Sequence, residues 1–115
     1  MLLIWYPKCT TCQRAKKFLD NRGISCALRN IKEENPTADE LQTWQQTSGL
    51  PLKKFFNTSG VLYREMGLKD RLPGMSGKEQ LALLASNGML VKRPILVGDG
   101  FVLTGFRQSE WEEKL

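Results

Sequence analysis

The first 31 residues read as a strand, a short helix and a second strand, an order that points to an α/β fold with a parallel strand pair. Leu2 to Tyr6 is a short apolar and aromatic run, suited to a strand buried on both faces, and Pro7 ends it. From Thr10 or Thr11 to Arg22 the spacing is helical. Ala15, Phe18, Leu19 and Arg22 fall at i, i+3, i+4 and i+7, and Gly23 supplies the stop. Ile24 to Ile31 alternates, with Ile24, Cys26 and Leu28 opposite Ser25, Ala27 and Arg29, which predicts a strand. Two strands joined through a helix within about 30 residues make a βαβ unit, whose strands pair in parallel.

The middle of the chain is helical. Thr37-Ala38-Asp39-Glu40 is a capping box opening a helix through Leu41 and Trp44 to Gly49, and Pro51 suits the first turn of a short helix through Phe55 and Phe56. Asn57-Thr58-Ser59-Gly60 interrupts, and a brief Val61–Met66 segment follows. A second capping box, Ser76-Gly77-Lys78-Glu79, starts a helix over Lys78–Asn87 that Gly88 closes. The end changes character: Arg93–Val97 is a strand, Gly98-Asp99-Gly100 a tight turn, Phe101–Thr104 its antiparallel partner, and Ser109–Leu115 a last helix. The prediction is one α/β domain over residues 1–115, built on a four-stranded mixed sheet in the order βαβ, helical insertion (about 37–90), ββα.

Cys9-Thr10-Thr11-Cys12 falls where the first strand gives way to the first helix. A CxxC beside a βαβ pattern reads as a redox motif. The free N–H groups and the dipole at a helix start stabilise an anion there, so the first cysteine ionises more easily. The second, one turn along, can attack a mixed disulfide formed on the first. Two other readings stand beside this one. Half a zinc site would need two more ligands, and the chain offers only Cys26 and no histidine, so no metal is expected. Two inert cysteines at a strand–helix junction are the other. Cys26 alternates with Ile24 and Leu28 and reads as a small buried hydrophobe.

Composition narrows the classes further. With no histidine in 115 residues, Ser-His-Asp and Cys-His nucleophile pairs are excluded. Three cysteines are too few for a disulfide scaffold. No apolar run approaches the roughly 20 residues that span a bilayer, and the start lacks a basic segment and a small-residue cleavage site, so a cytoplasmic location is expected. The net charge of +5 is uneven: residues 1–32 hold seven basic residues and one acidic, residues 33–115 ten and eleven. The positive excess thus surrounds Cys9 and Cys12 in sequence. It is either a solvated helix face or a field that favours a thiolate or an anion. No aromatic stacking run accompanies it, so direct nucleic-acid binding is not expected.

Three stretches together carry a resemblance: Tyr-Pro-Lys-Cys-Thr-Thr-Cys-Gln-Arg-Ala-Lys-Lys-Phe-Leu (6–19), Lys-Arg-Pro-Ile-Leu-Val (92–97) and Gly-Phe-Arg-Gln-Ser-Glu-Trp (105–111). In order and spacing the chain resembles the arsenate reductase/Spx family over essentially its whole length. The resemblance implies a thioredoxin-like fold with a helical insertion. It makes Cys9 the nucleophile and implies that Pro94 follows a cis bond. Arg93 and Arg107, with Arg64 in the inserted region, would be the arginines that hold an oxyanion beside the cysteine, work that suits a planar and permanently charged guanidinium.

The resemblance points in two directions. Glutaredoxin-coupled arsenate reductases have a single active-site cysteine with a histidine a few residues before it, whereas this chain has Cys12 and no histidine. Spx regulators have CxxC as a disulfide switch and bind the C-terminal domain of the RNA polymerase α subunit. They run longer at the C-terminus and usually lack the arginine matched by Arg107. The first reading is therefore an arsenate reductase-like thiol–disulfide oxidoreductase. It would act on a small oxyanion or thiol substrate without a bound cofactor, with glutathione, thioredoxin or glutaredoxin as external reductant. The alternative is an Spx-type redox regulator, and a third is a thioredoxin-like scaffold without activity.

Overall fold

The computed structural model describes all of residues 1–115 and places a four-stranded sheet between two helical layers. Strands β1 (Leu2–Trp5), β2 (Ala27–Asn30), β3 (Ile95–Val97) and β4 (Val102–Thr104) lie in the order β2-β1-β3-β4. β1 and β2 pair in parallel with Leu3 opposite Leu28. β3 runs antiparallel to β1 with Leu96 opposite Leu3, and β4 is antiparallel to β3 with Leu103 opposite Leu96. The helices are α1 (Thr10–Asn21), α2 (Ala38–Ser48), α3 (Val61–Glu65), α4 (Leu68–Arg71), α5 (Gly77–Ser86) and α6 (Gln108–Lys114). None is long and apolar enough to cross a membrane.

Strand alternation divides the core in two. Leu3, Leu96 and Leu103 point to the face covered by α1 and α6, where they pack with Ala15, Leu19 and Trp111. Ile4, Ile95 and Val102 point to the opposite face, against Leu41, Trp44, Phe55, Phe56 and Leu84 from the inserted helices. β1 and β3 are central strands, so Leu3, Ile4, Ile95 and Leu96 are all fully buried. The thioredoxin-like α/β fold and its βαβ, helical, ββα order are as the sequence predicts.

The differences are local. The second strand begins at Ala27 rather than Ile24, and Leu28 is 46% exposed, because β2 is an edge strand and the helices do not cover its outer end. Ile24 and Cys26 still pack against the α1 side and Ile31 is buried on the other, so the alternation holds beyond the hydrogen-bonded residues. Gly88 does not simply close the preceding helix. It starts a 3-10 turn (Gly88–Leu90) whose backbone passes so close to the Ile31 carbonyl that a Cβ there would overlap it.

Both capping boxes form. In the first, the Glu40 side chain accepts the Thr37 N–H at 3.0 Å, and it also takes a two-pronged bond from Arg29 of β2 at 2.6 and 2.9 Å. The Arg29 bond, with the Thr37 N–H adding to it, holds the Glu40 carboxyl down to about 2. Because this folded value lies below the unfolded value of about 4.3, the stabilisation is complete above that value and is lost as pH falls toward 2. Glu40→Gln is expected to flatten that acid limb in urea denaturation. Glu40→Ala should cost about 1 kcal/mol at neutral pH, an amount kept small because the side chain is 35% exposed. Equal stability of Glu40→Ala and the parent chain would show that the pair is idle.

Candidate functional site

The site lies where β1 runs into α1. After β1 the chain turns at Pro7 and Lys8, the Cys9 N–H donates to the Tyr6 carbonyl at 2.9 Å, and Cys9 becomes the N-cap of α1 in extended conformation. Its side chain makes no capping bond, so the sulfur is free to turn toward the first-turn N–H groups. Cys9 is half-buried, whereas Cys12, one turn into α1, is fully buried, and all three cysteines are free thiols.

The two thiols are driven apart in acidity. Partial burial pushes Cys9 up, but the Cys12 N–H, the Cys12 thiol and the Arg93 guanidinium all favour its anion and together hold it below the ordinary thiol value. Burial pushes Cys12 up to about 12, with the neighbouring Cys9 adding to the rise. Burial likewise raises Cys26, which packs half-buried beside Ile24 on the α1 side, away from the other two.

Arg93 reaches Cys9 because two chain segments are pinned together. The Arg93–Pro94 bond is cis, Pro94 is buried, and its carbonyl accepts the Gly105 N–H at 2.8 Å. The Gly105 carbonyl in turn accepts from Trp111 Nε1 at 3.1 Å, and Trp111 packs edge-on against Phe106 at 4.9 Å. Gly105 has a φ of +71° and lies under the Lys92 side chain, conditions that a residue with a Cβ would meet poorly. This clasp brings Arg93, just before β3, and Arg107, just after β4, to one groove. The Arg93 guanidinium lies 5.4 Å over the Tyr6 ring, and its buried Nε and Nη1 have no hydrogen-bond partner within the protein. Buried donors without a partner are costly, and an arginine fork of this kind suits an oxyanion or carboxylate.

Cys9, Arg93 and Arg107 line one broad, open groove of about 1140 Å³. Arg64, on the exposed side of α3, is not among its lining residues. The groove also takes in Arg14, Lys53, Lys54, Lys92 and Lys114, which with Arg93 and Arg107 make seven basic residues against Glu110 and Glu113. No local pattern marks Lys53 or Lys54 as groove residues, and Lys92 enters the sequence analysis only as part of the 92–97 stretch. The basic residues of 1–32 surround the cysteines in sequence, but most of them do not line the groove. Of these seven, Lys16 pairs with Asp20, Arg22 lies over Phe18, Arg29 is held by Glu40, and Arg14 lines the groove, whereas Lys8, Lys17 and Lys32 do not.

A four-stranded βαβ–ββα sheet with CxxC at the start of α1 and a cis-proline loop beside it defines a thioredoxin-like thiol protein. The profile of the ArsC family matches residues 4–114, and the chain belongs to that family. It is similar to the uncharacterized protein YusI of Bacillus subtilis (strain 168), at 50% identity over 95% of this chain and 92% of that one. It is also similar to the global transcriptional regulator Spx of Staphylococcus epidermidis, at 27% identity over 90% of this chain and 78% of that one. Among solved structures, an ArsC family related protein from Bacteroides fragilis superposes with a TM-score of 0.94 at 54% identity, covering 97% and 94% of the two chains. A "possible arsenate reductase" from Streptococcus mutans UA159 does so with 0.90 at 45% identity, covering 99% and 97%.

Proposed function

We propose that this chain is a thiol–disulfide oxidoreductase of the arsenate reductase type, with Cys9 as nucleophile and Cys12 or an external thiol as the resolving group. The observation that carries the reading is the contrast between the two sulfurs. Cys9 is half-exposed, acidified and beside Arg93, whereas Cys12 is buried and protonated behind it. In the first step the Cys9 thiolate bonds to a substrate sulfur and the other sulfur of that disulfide leaves as a thiolate. In the second, the Cys12 sulfur bonds to Cys9, its proton passes to solvent, and the substrate sulfur leaves. Arg93 and Arg107 hold an oxyanion or carboxylate of the substrate in this reading, and Pro94 positions Arg93. Arg64 is not among the residues that line the groove, so the reading rests on Arg93 and Arg107. Glutathione, thioredoxin or glutaredoxin would return the disulfide to two thiols.

The test is mass spectrometry of the reduced chain with oxidised glutathione. One glutathione should appear on Cys9 and then leave as a Cys9–Cys12 disulfide forms. A chain that stays fully reduced over the same period would overturn the reading. The second reading, an Spx-type regulator, is supported by the likeness to Spx together with the second cysteine. Its test is capture of the RNA polymerase α subunit by the oxidised chain and not by the reduced one.

A further inference from the structure

The basic groove extends well beyond what a small oxyanion at Cys9 and Arg93 needs. Lys53 and Lys54 sit on the 3-10 turn Leu52–Phe55, and the Phe55 carbonyl accepts the Lys92 N–H at 2.8 Å. Lys53, Lys54, Lys92 and Arg93 line the same groove as Cys9. None of them is in an ion pair, since the only salt bridges are Lys16–Asp20 and Arg29–Glu40. The groove also takes in β4 and the residues after it, where Gly105 lies under the Lys92 side chain. Gly98–Phe101 and Pro94–Gly105 are hydrogen-bonded pairs across β3 and β4. By antiparallel alternation the N–H and C=O of half-exposed Thr104 therefore point away from β3, toward the groove. The outward backbone groups of Thr104 suit an extended chain, and the lysines of the groove suit carboxylates along it.

We propose that this groove takes an extended acidic peptide segment of a protein partner, with the partner's reacting sulfur delivered to Cys9. The proposal rests on the thiol chemistry argued above and names its substrate class: protein disulfides flanked by Asp and Glu. A peptide is favoured over a nucleic acid because the groove ends on a sulfur nucleophile. In addition, Phe106, an aromatic side chain at its rim, is already engaged with Phe18 and Trp111.

The test uses the full chain carrying Cys12→Ser and three short peptides, each with one cysteine blocked by thionitrobenzoate and flanked by acidic, neutral or basic residues. The Cys9 thiolate attacks the peptide sulfur, the Cys9–peptide S–S bond forms, the peptide–thionitrobenzoate bond breaks, and coloured thionitrobenzoate leaves with the electron pair. At low salt the acidic peptide should react about tenfold faster than the neutral one and the basic peptide slowest, with the differences collapsing near 1 M salt. Adding Lys53→Glu and Lys54→Glu should abolish the preference. Lys17→Glu with Lys69→Glu, an equal change of charge outside the groove, should keep it. Equal rates for the three peptides, or a preference that survives Lys53→Glu/Lys54→Glu, would overturn the proposal. So would stronger competition by a short oligonucleotide than by a cysteine-free acidic peptide, which would assign the groove to nucleic acid. No colour from any peptide would instead sink the thiol reading beneath it, and the proposal with it.

Discussion

Cys12→Ser should accumulate a stable mixed disulfide at Cys9, and Cys9→Ser should accumulate almost none at Cys12. The size of the difference follows from the two environments. With Cys12 pushed up to about 12, only about one molecule in 10⁵ carries that thiolate at pH 7, against a few per cent for an ordinary thiol near 8.5 and more for Cys9. The thiolate populations therefore differ by more than about 10³. Nucleophilicity falls as acidity rises and recovers about half of those decades for Cys12, leaving a preference for Cys9 of roughly thirtyfold or more. The burial of Cys12 adds to it. The same environments favour this order of events. Burial keeps Cys12 protonated first, and the Cys9 sulfur and its charge raise it further. Once Cys9 is in a mixed disulfide that charge is gone, and Cys12 ionises more readily when its attack is needed. Mass spectrometry after treatment with oxidised glutathione separates the variants, and comparable labelling of both would remove these roles.

Arg93→Ala should slow alkylation of Cys9 at pH 7 by roughly tenfold, the worth of one charge-assisted hydrogen bond at a half-buried site. Burial raises Cys9, and two of the influences opposing it, a hydrogen bond and a charge, come from Arg93. Removing them moves the titration of Cys9 upward, so the loss of rate is largest below the ordinary thiol range and disappears at alkaline pH, where both chains are fully ionised. Arg93→Lys keeps the charge without the planar fork and should recover only part of the rate. Alkylation rate against pH reads all three. A curve for Arg93→Ala that overlays the parent would show that the helix start alone sets the acidity of Cys9.

The capping boxes at Thr37 and Ser76, the helix stop at Gly23, the turn at Gly98–Gly100 and the CxxC junction were all legible, because each is decided by residues within one turn of one another. The short helix α4 and the 3-10 turns around Leu72 and Gly88 were not, since they are too brief to show a period and are held by packing on the inserted helices. β2 was drawn too long because alternation records which face a side chain takes, not where backbone pairing with β1 begins. Arg64 was assigned to the site through family likeness, and the fold leaves it on the outside of α3.

The sequence by itself determined the fold class and the placing of Cys9 and Cys12 at the start of α1. Periodicity, caps and a helix starting at Cys9 are short-range properties that survive in any context compatible with a βαβ start. Only the tertiary structure decided the charge around that pair. The first 32 residues carry a net +6, yet three of their seven cations are engaged by Asp20, Phe18 and Glu40, while Lys53, Lys54, Lys92, Arg93 and Arg107, from a stretch of net −1, line the groove that contains Cys9. Coulombic interaction acts through space and fades within about 10 Å at moderate salt, so charge density along the chain says little about the field at a sulfur until folding sets the distances.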